Sequence, residues 1–425
     1  MKIIYPFFLI CTLSYNLFSQ IHWSELNSGV NVQLNSVRFA SHTAVWICGN
    51  NGTVLKNNNS VFGDTIRNVS GGGIPANATL VHIACRNSAG DTSNALVAGN
   101  IGTTTYVWRT TNGGGNWTQV FSQPNGFINA IWDWYPNLTF MQGNPVGGRW
   151  SLWRSTNFGL TWDSAGLYLQ QAGSEHGWPN SMYSVDTNRI WFGTNNSRIY
   201  YSSNSGYNWV ILPTAPEQNI YALLVGINLG FAGGSTLMRS TDYGLNWNQI
   251  SGMGSGNFGG FAFLAFVTYT YYVRGDNNIY MSSNFGQNWF LRYTAPSGNY
   301  KHIFGLLSTQ FMYAVRDNGG ITRTYGLPFI KPISSEIPSS FSLSQNYPNP
   351  FNPTTKIQFA LPKNAFAKLI IYDVLGREVE TLVNEQLAHG IYEVNWDATN
   401  YPSGVYFYRL AADNYVESRK MILVK

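Results

Sequence analysis

Charged residues are scarce in this chain of 425 residues, since 25 Lys/Arg and 20 Asp/Glu make up only 11% of it. The basic residues form no run or stripe of the kind that nucleic-acid binders carry, so the net charge of +5 predicts no nucleic-acid partner. No apolar stripe at helical spacing occurs beyond the first twenty residues, which excludes a helical fold. No later apolar run is long enough to cross a bilayer, which predicts a mature protein without a membrane span.

Several catalytic motifs are missing as well. The sequence has no Gly-rich phosphate loop, no His/Cys spacing typical of a metal site and no nucleophile elbow. We therefore expect neither a cofactor nor a metal ion.

The residues that the chain does favour are aromatic, at 16%, together with 43 glycines. Disordered chains have few aromatics and a high net charge, whereas this mixture is typical of many short strands joined by tight turns. The composition thus predicts an all-β protein, and its length favours one large domain with a smaller one.

The first 20 residues are typical of a signal peptide. Lys2 provides the positive end, an apolar run follows from Ile3 to Leu13, and Leu17 to Ser19 offer a cleavage region. The mature protein would be exported with two cysteines, Cys48 and Cys85. An oxidising compartment allows them to form a disulfide, but two buried free thiols fit the sequence equally well.

A repeated pattern is the strongest signal in the sequence: Ser/Thr, any residue, Asn/Asp, any residue, Gly, two residues, Trp. Five copies occur, and successive tryptophans lie 38 to 47 residues apart. A period near forty in a strand-rich chain predicts one propeller blade per repeat. The Asn or Asp, the Gly and the Trp of the five copies are Asn112, Gly114 and Trp117; Asn157, Gly159 and Trp162; Asn204, Gly206 and Trp209; Asp242, Gly244 and Trp247; and Asn284, Gly286 and Trp289.

A second marker raises the number of blades to seven. Gly/Asn hairpin turns recur with the same period and begin at Gly49, Gly99, Gly143, Gly193, Gly233, Gly275 and, in degenerate form, Asp317. We therefore predict a seven-bladed β-propeller over residues 21–328. The Trp pattern is missing at residues 57–60 and 322–326, so the start of the mature chain, residues 21–26, is expected to supply the outer strand of the last blade.

The residue types of the repeated pattern suit a structural turn. The Asn or Asp side chain accepts bonds from backbone N–H groups, Gly adopts a backbone angle that a Cβ resists, and Trp buries a large ring. The pattern resembles the Asp box, or bacterial neuraminidase repeat, of propellers that include sialidases and photosystem II assembly factors. The stretch Gly49–Lys56 is most similar to the latter. The resemblance implies the fold and places the boxes away from the ligand face. Only Asp242 is charged among the five boxes, so we expect no calcium site.

The composition changes near residue 327. A Ser/Ile/Pro stretch predicts a linker over residues 329–340, and residues 341–425 then alternate like the strands of a small immunoglobulin-like β-sandwich. The segments 347–353, 372–379, 402–406 and 420–425 resemble the type A sorting domain of the type IX secretion system. The resemblance implies that residues 341–425 bind the type IX machinery and that the protein is secreted or lies on the outer cell surface. An accessory binding sandwich is the alternative.

A glycoside hydrolase would need two positioned carboxyl groups. Asp133 and Glu175 are the pair that loops of neighbouring blades could bring to the channel mouth, as catalytic candidates. The residues beside them that could bind a sugar are Trp132, Trp134, His176 and Trp178. In the competing interpretation the two first tryptophans pack between blades, and Glu175 and His176 are solvated. The Phe/Tyr-Arg-Ile-Pro segment of sialidases is absent.

Asparagines precede most of the predicted inner strands, at Asn35, Asn129, Asn180, Asn219, Asn257 and Asn299. Their amides could bind a polar ligand at the channel mouth or merely cap the turns. We therefore expect a non-enzymatic binding or scaffold propeller whose partner is a glycan or a surface protein. A secreted glycoside hydrolase, sialidase-like or polysaccharide-degrading, is the alternative.

Overall fold

The computed structural model describes residues 22–41, 44–57, 65–86, 92–134, 136, 138–226, 228–251, 256–264, 269–305, 311–325, 331–334, 338–387, 389–398 and 401–425. The predicted signal peptide, residues 58–60 of the first blade and Gly326 lie outside the described residues. The described chain divides into two compact units, the first from Trp23 to Tyr325 and the second from residue 331 onwards.

The first unit contains seven antiparallel sheets, which the chain forms one after another from the inner to the outer strand. Strand β1 (His22–Leu26) precedes them. The first three sheets are β2 (Leu34–Ser41), β3 (Ala44–Gly49), β4 (Val54–Asn57) and β5 (Arg67–Asn68); β6 (Thr79–Cys85), β7 (Ala95–Ile101), β8 (Thr104–Thr110) and β9 (Thr118–Pro124); and β10 (Ile128–Trp134), β11 (Leu138–Val146) and β12 (Arg149–Ser155).

The other four sheets complete the ring. They are β13 (Gly177–Ser184), β14 (Ile190–Thr194), β15 (Arg198–Ser202) and β16 (Val210–Pro213); β17 (Ala222–Gly226), β18 (Leu229–Gly233), β19 (Leu237–Ser240) and β20 (Asn248–Ile250); β21 (Phe258–Leu264), β22 (Tyr269–Arg274), β23 (Asn278–Ser282) and β24 (Phe290–Thr294); and β25 (Tyr300–Gly305), β26 (Met312–Arg316) and β27 (Ile321–Tyr325) with β1. Each inner strand contacts the inner strand of the next sheet, and β25 contacts β2. The prediction of a seven-bladed propeller is confirmed.

The ring closes as the sequence predicts, because β1 lies beside β27 as the outer strand of the seventh blade. The Trp23 ring stacks on Tyr293 with centroids 5.7 Å apart. Glu25 accepts hydrogen bonds from Tyr293 at 3.0 Å and from Arg316 Nη1 at 3.1 Å. The first and last segments of the propeller are thereby joined within one sheet.

The third blade differs from the expected four strands, since its sheet contains three. The chain after Trp162 forms only isolated bridges to β12, at Asp163 and Gln170. Between them it turns at Gly166, where φ is 74°, and a continuous strand cannot pass through such a turn.

Apolar side chains fill the spaces between neighbouring blades. One such cluster contains Trp46, Trp108, Cys48 and Cys85, all buried. Neither cysteine is in a disulfide, so of the two alternatives left open by the sequence the structure has the reduced one. Burial raises the pKa of the Cys48 thiol far above its ordinary value, which keeps the thiol protonated and unreactive.

The second unit is a β-sandwich of two antiparallel sheets. The sheets contain β28 (Lys331–Ser334), β33 (Gly390–Asp397), β30 (Thr354–Leu361) and β29 (Ser342–Leu343), and β32 (Glu378–Leu387), β31 (Ala365–Tyr372), β34 (Gly404–Ala412) and β35 (Tyr415–Leu423). Their facing sides share one apolar core around Trp396. Part of the predicted linker, residues 331–334, is a strand that pairs with β33. Pro332 is compatible with this strand because it lies at a sheet edge, where a missing N–H is tolerated.

Candidate functional site

The propeller has two faces, which the direction of the strands defines. The inner strands begin at one face, named here the mouth face, and end at the other. The third strand of a blade runs parallel to the first, so the box turns that follow the third strands lie where the inner strands end. That side is named the box face.

A cavity of about 390 Å³ opens at the mouth face, around the axis of the ring. Six of the seven blades contribute to its wall, the third being the exception. Most of its lining residues are at or just before the start of an inner strand, and they include Asn35, Trp178, Tyr221, Asn257, Tyr300 and Lys301. The cavity is therefore a property of the closed ring and of no single blade.

Aromatic rings form one side of the cavity. Trp178 packs edge to face against Tyr221 with centroids 4.6 Å apart, and His176 supports the other side of the Trp178 ring at 4.7 Å. Burial raises the pKa of Tyr221, so its hydroxyl remains a hydrogen-bond donor at neutral pH. Trp178 is thus held in place while part of its surface faces the cavity.

Side-chain amides from three blades also line the cavity. Asn35 donates to the Leu80 carbonyl at 2.7 Å, and Asn180 donates to the Asn35 carbonyl at 3.0 Å. The Asn180 Oδ1 accepts from Ser36 at 3.0 Å, which links the fourth blade to the first across the channel. Asn257 is exposed and forms no side-chain hydrogen bond with any described residue. Its amide is available to a ligand.

The predicted ring of asparagines is only partly formed at the cavity. Asn35, Asn180 and Asn257 line it, whereas Asn129 is buried and donates to Asn144 at 2.9 Å. Asn299 instead donates its backbone N–H to the Asp317 carboxylate at 2.8 Å. Some of these residues therefore face the mouth and others fasten the turns around it.

The charge of the cavity is simple. Lys301 is the one charged side chain among the described residues that line it, and no carboxylate is among them. Deeper in the channel, the Arg38 guanidinium lies 4.9 Å from the Trp132 ring centroid and 4.3 Å from that of Phe304. Burial lowers the pKa of Arg38 to about 10, so that it is still a cation at neutral pH.

The structure does not bring the predicted catalytic pair together. Asp133 is near the end of β10, at the box face, whereas Glu175 comes just before β13, at the mouth face. Asn144 shows that Glu175 is level with the start of β10. Its side chain accepts from the Gly177 N–H, and its backbone N–H donates to the Phe127 carbonyl at the start of β10. Six residues of extended chain from residue 127 to Asp133 correspond to about 20 Å. That distance exceeds the spacing of either kind of glycosidase pair.

Each of the two carboxylates has a structural partner. Asp133 accepts from Thr139 at 2.6 Å and faces Arg86 at 3.8 Å. Glu175 is buried, contrary to the solvated position considered from the sequence; it accepts from the Tyr200 hydroxyl at 2.9 Å and pairs with Arg198. Neither lines the cavity.

The predicted ligand-binding residues also separate. Trp132 packs against Tyr183 at 4.9 Å, and Trp134 donates to Ser184 at 2.9 Å, both between the third and fourth blades in the half nearer the box face. These contacts agree with the interpretation in which the two rings pack between blades. His176 lies behind Trp178, and Trp178 alone of the four lines the cavity.

Sequence reasoning missed Tyr221, Phe258, Tyr300 and Lys301, which line the cavity from three further blades. The sequence feature that could have identified them is their position, since each lies at or next to the start of an inner strand. Aligning the repeats on their hairpin turns would have placed these residues around one opening with Trp178.

The box turns share one geometry. The Ser or Thr hydroxyl accepts the N–H of the box glycine at 2.8–3.1 Å in all five. The Asn or Asp Oδ1 accepts the N–H four residues on at 2.9–3.0 Å. Every box glycine has a positive φ, between 69° and 90°. The turn itself uses the carboxylate of Asp242, because this carboxylate also accepts hydrogen bonds from the side chains of Ser240 and Asn246.

In the sandwich, the motif residues fasten the first segment to the last strand. Asn346 is buried; its backbone N–H donates to the Tyr408 hydroxyl oxygen at 2.8 Å, and its side-chain amide donates to Thr355 at 2.9 Å. The Phe351 N–H donates to the Ile422 carbonyl at 3.0 Å, and its ring packs on Trp396. The opening segment thus adds bonds to a C-terminal strand that is already paired with β34.

Comparison with known families decides what this second unit is. Residues 345–425 match the family described as Secretion system C-terminal sorting domain. The second unit is a sorting domain. It directs export by the type IX secretion system, and the protein is accordingly secreted or located at the cell surface. Among the described residues, no helix has the length and apolar character that a membrane span requires.

Solved structures resemble the propeller. YCF48 bound to D1 peptide has a TM-score of 0.57 at 15% identity, with 71% of this chain and 96% of that chain covered. YCF48 from Cyanidioschyzon merolae has a TM-score of 0.58 at 16% identity, covering 71% and 98%. The WD40 propeller domain of Doa1 has a TM-score of 0.53 at 11% identity, covering 71% and 95%. At these identities the likeness shows the fold. No curated protein sequence matches the chain.

Proposed function

We propose that this exported protein is a non-enzymatic binding module that captures a glycan in the mouth cavity of its propeller. The observation that carries this proposal is the composition of the cavity wall. It combines aromatic rings, side-chain amides and a single cation, and it has no described carboxylate. Pockets with mostly apolar or aromatic walls and a few fixed polar groups are the usual form of a small-ligand site.

Trp178 is the proposed stacking platform. A sugar ring presents an apolar C–H face that packs on an indole, and the indole must be partly open and held still for this. Trp178 is partly exposed, and Tyr221 and His176 contact it from two sides. Little conformational entropy is then lost when a ligand binds.

The amides supply the hydroxyl contacts in this proposal. Asn257 offers a donor and an acceptor that no described residue uses. The Asn35 amide is already fixed by a hydrogen bond to the second blade, and the Asn180 amide by hydrogen bonds to the first. A preorganised set of neutral donors and acceptors suits an uncharged polar ligand.

Hydrolysis has less support from the same geometry, since Asp133 and Glu175 are at opposite ends of the inner strands. A peptide is the second candidate, because the YCF48 propeller, similar in fold, has a structure with D1 peptide bound. The exported location favours the glycan over an intracellular peptide partner.

The test is a glycan array and a peptide array probed with the full-length mature protein. Trp178→Ala should weaken binding to the best glycan at least about tenfold, as the loss of a central aromatic contact does. Tyr243→Ala is the matched control, because Tyr243 is an exposed aromatic residue at 43% on the box face, and it should bind like the wild type.

Three outcomes would overturn the proposal. One is unchanged affinity in Trp178→Ala, and another is binding to peptides alone. The third is release of reducing sugar from the bound glycan, which would identify a hydrolase.

A further inference from the structure

Around Arg38, in the channel below the mouth cavity, hydrogen-bond donors lack matching acceptors among the described residues. Arg38 on β2 is 8% exposed and forms no ion pair with any described residue. The rings of Trp132 and Phe304 stabilise its charge from two sides. A ring face, however, accepts none of the five N–H groups of a guanidinium in a linear hydrogen bond.

His82, on the second blade, shows the excess directly. Its Nδ1 lies 3.3 Å from the Ile131 backbone N–H, and its Nε2 lies 3.2 Å from Arg38 Nη2. A neutral imidazole has one acceptor and one donor, so the two donors cannot both be satisfied. A protonated imidazole would accept from neither donor. Burial, followed by the Arg38 charge, holds the pKa of His82 well below its ordinary value, so the ring is neutral.

His302, on the seventh blade, repeats the arrangement near Arg38. Its Nδ1 accepts the Val37 backbone N–H at 3.2 Å, which puts the ring proton on Nε2. That Nε2–H has no partner among the described residues. Burial, followed by the Arg38 charge, lowers the pKa of His302 as well, so this imidazole is neutral.

The backbone N–H groups of Ile131 and Val37 favour the same tautomer in both histidines, with the ring proton on Nε2. If His82 keeps the bond from Ile131, its Nε2–H points at a guanidinium that is itself a donor. The two groups then need a shared acceptor beside them. A cation and ring N–H groups that bond to no other acceptor among the described residues define a site for a negatively charged atom.

We propose that the propeller channel binds a small inorganic anion, chloride or one of similar size, between Arg38, His82 and His302. The anion accepts from the Arg38 guanidinium and from the Nε2–H of each histidine, and it neutralises the buried charge. It links the first, second and seventh blades, which are the blades around the closure of the ring. The site is separate from the mouth cavity and from any glycan bound there.

A crystallographic test locates the anion directly. Crystals of the full-length mature protein grown or soaked with sodium bromide should show an anomalous peak within about 3.5 Å of His82 Nε2 and Arg38 Nη2, a normal charge-assisted contact for a large anion. A water at this position, or bromide only at the protein surface, would overturn the proposal. This measurement uses the wild type and does not depend on whether a variant folds.

Thermal unfolding supplies the second arm. Trp fluorescence reports the propeller, because all of the 15 tryptophans except Trp396 belong to it. Raising the sodium chloride concentration from a low to a physiological value should raise the wild-type Tm by about 2–4 °C, because chloride binds preferentially to the folded state. Arg38→Met should lose this rise.

Lys301→Met is the matched control, since it removes the same charge at the mouth of the channel, outside the proposed site. It should keep the chloride-dependent rise in Tm. An equal rise in wild type, Arg38→Met and Lys301→Met would show ordinary salt screening and contradict the site.

Discussion

The glycines of the box turns allow the close contact between neighbouring blades as well as the turn itself. A Cβ added to Gly286 would lie 2.3 Å from the Phe231 ring of the preceding blade, and one added to Gly206 would lie 2.7 Å from Phe140. The box glycine is therefore small for two reasons, its positive φ and the close approach of the neighbouring sheet. The second reason is not visible in the repeated pattern.

Gly286→Ala separates these two reasons when it is compared with Gly102→Ala. Both positions have a positive φ, of 78° and 57°, but a Cβ at Gly102 would meet nothing within 4 Å. Gly286→Ala should lower the free energy of unfolding by about 2–4 kcal/mol, and Gly102→Ala by about 1 kcal/mol. Urea denaturation followed by Trp fluorescence measures both. Equal losses would mean that the Phe231 contact is unimportant.

Glu217 is a buried carboxylate that holds the loop before the fifth blade. It accepts from the Thr236 backbone and hydroxyl at 2.7 Å each and from Ser235 at 3.0 Å. Burial acts to raise the pKa of Glu217, but these hydrogen bonds outweigh burial and bring the pKa below its ordinary value of 4.5. The ionised form therefore stabilises the fold above about that pH, and the contribution is lost as the pH falls through the lower pKa of the folded state.

Glu217→Gln should reduce the free energy of unfolding at pH 7 by about 1–3 kcal/mol, through the loss of charge-assisted hydrogen bonds. The difference between wild type and variant should narrow below pH 4.5, because the wild-type carboxylate is protonated there. Denaturation curves over a pH series give this difference. A gap that stays constant from pH 7 to pH 3 would contradict the assigned role of the charge.

At the scale of elements, one ion pair helps to attach the closing strand β1 to the seventh blade. Arg316 is nearly buried, while Glu25 is partly exposed. Glu25 also accepts from Thr322 at 2.6 Å. Burial acts to lower the pKa of Arg316, yet the bonds to Glu25 raise it. The strand is thus attached by backbone pairing and by a charge that the seventh blade cannot satisfy alone.

Glu25→Gln should destabilise the propeller by about 2–4 kcal/mol, because it leaves the Arg316 charge buried and unpaired. Arg189→Gln is the control, since Arg189 and Asp186 form an exposed pair and such pairs contribute about 1 kcal/mol or less. Chemical denaturation of the two variants tests this. Equal effects would show that the closure does not depend on the ion pair.

For the whole molecule, the sorting domain and the propeller have separate tasks. The family match covers residues 345–425 only, and the propeller from Trp23 to Tyr325 has its own core clusters between blades. Removing residues 341–425 should leave a folded propeller that is no longer exported across the outer membrane. Cell fractionation with an antibody to the propeller measures this, and residues 341–425 fused to an unrelated cargo provide the positive control. Normal export of the truncated protein would contradict the assignment.

The sequence by itself determined the class of fold, the number of blades and the closing strand. Each of these depends on residues close together in the chain: the box from Ser282 to Trp289, the hairpin at Gly49, and the apolar strand beside Glu25. Such local patterns repeat with the period of the blade, so they can be counted without coordinates. The sorting domain was recognisable for the same reason, through contiguous motifs.

Only the tertiary structure decided which side chains share a site. Asp133 and Glu175 are 42 residues apart in the chain, and whether they meet depends on which end of an inner strand each one occupies. The ring of seven inner strands sorts residues by that position, bringing Trp178, Tyr221 and Lys301 to one mouth and Arg38, His82 and His302 to the interior of the channel. Since these neighbours come from different blades, closure of the ring determines their contacts, and no single repeat contains the information.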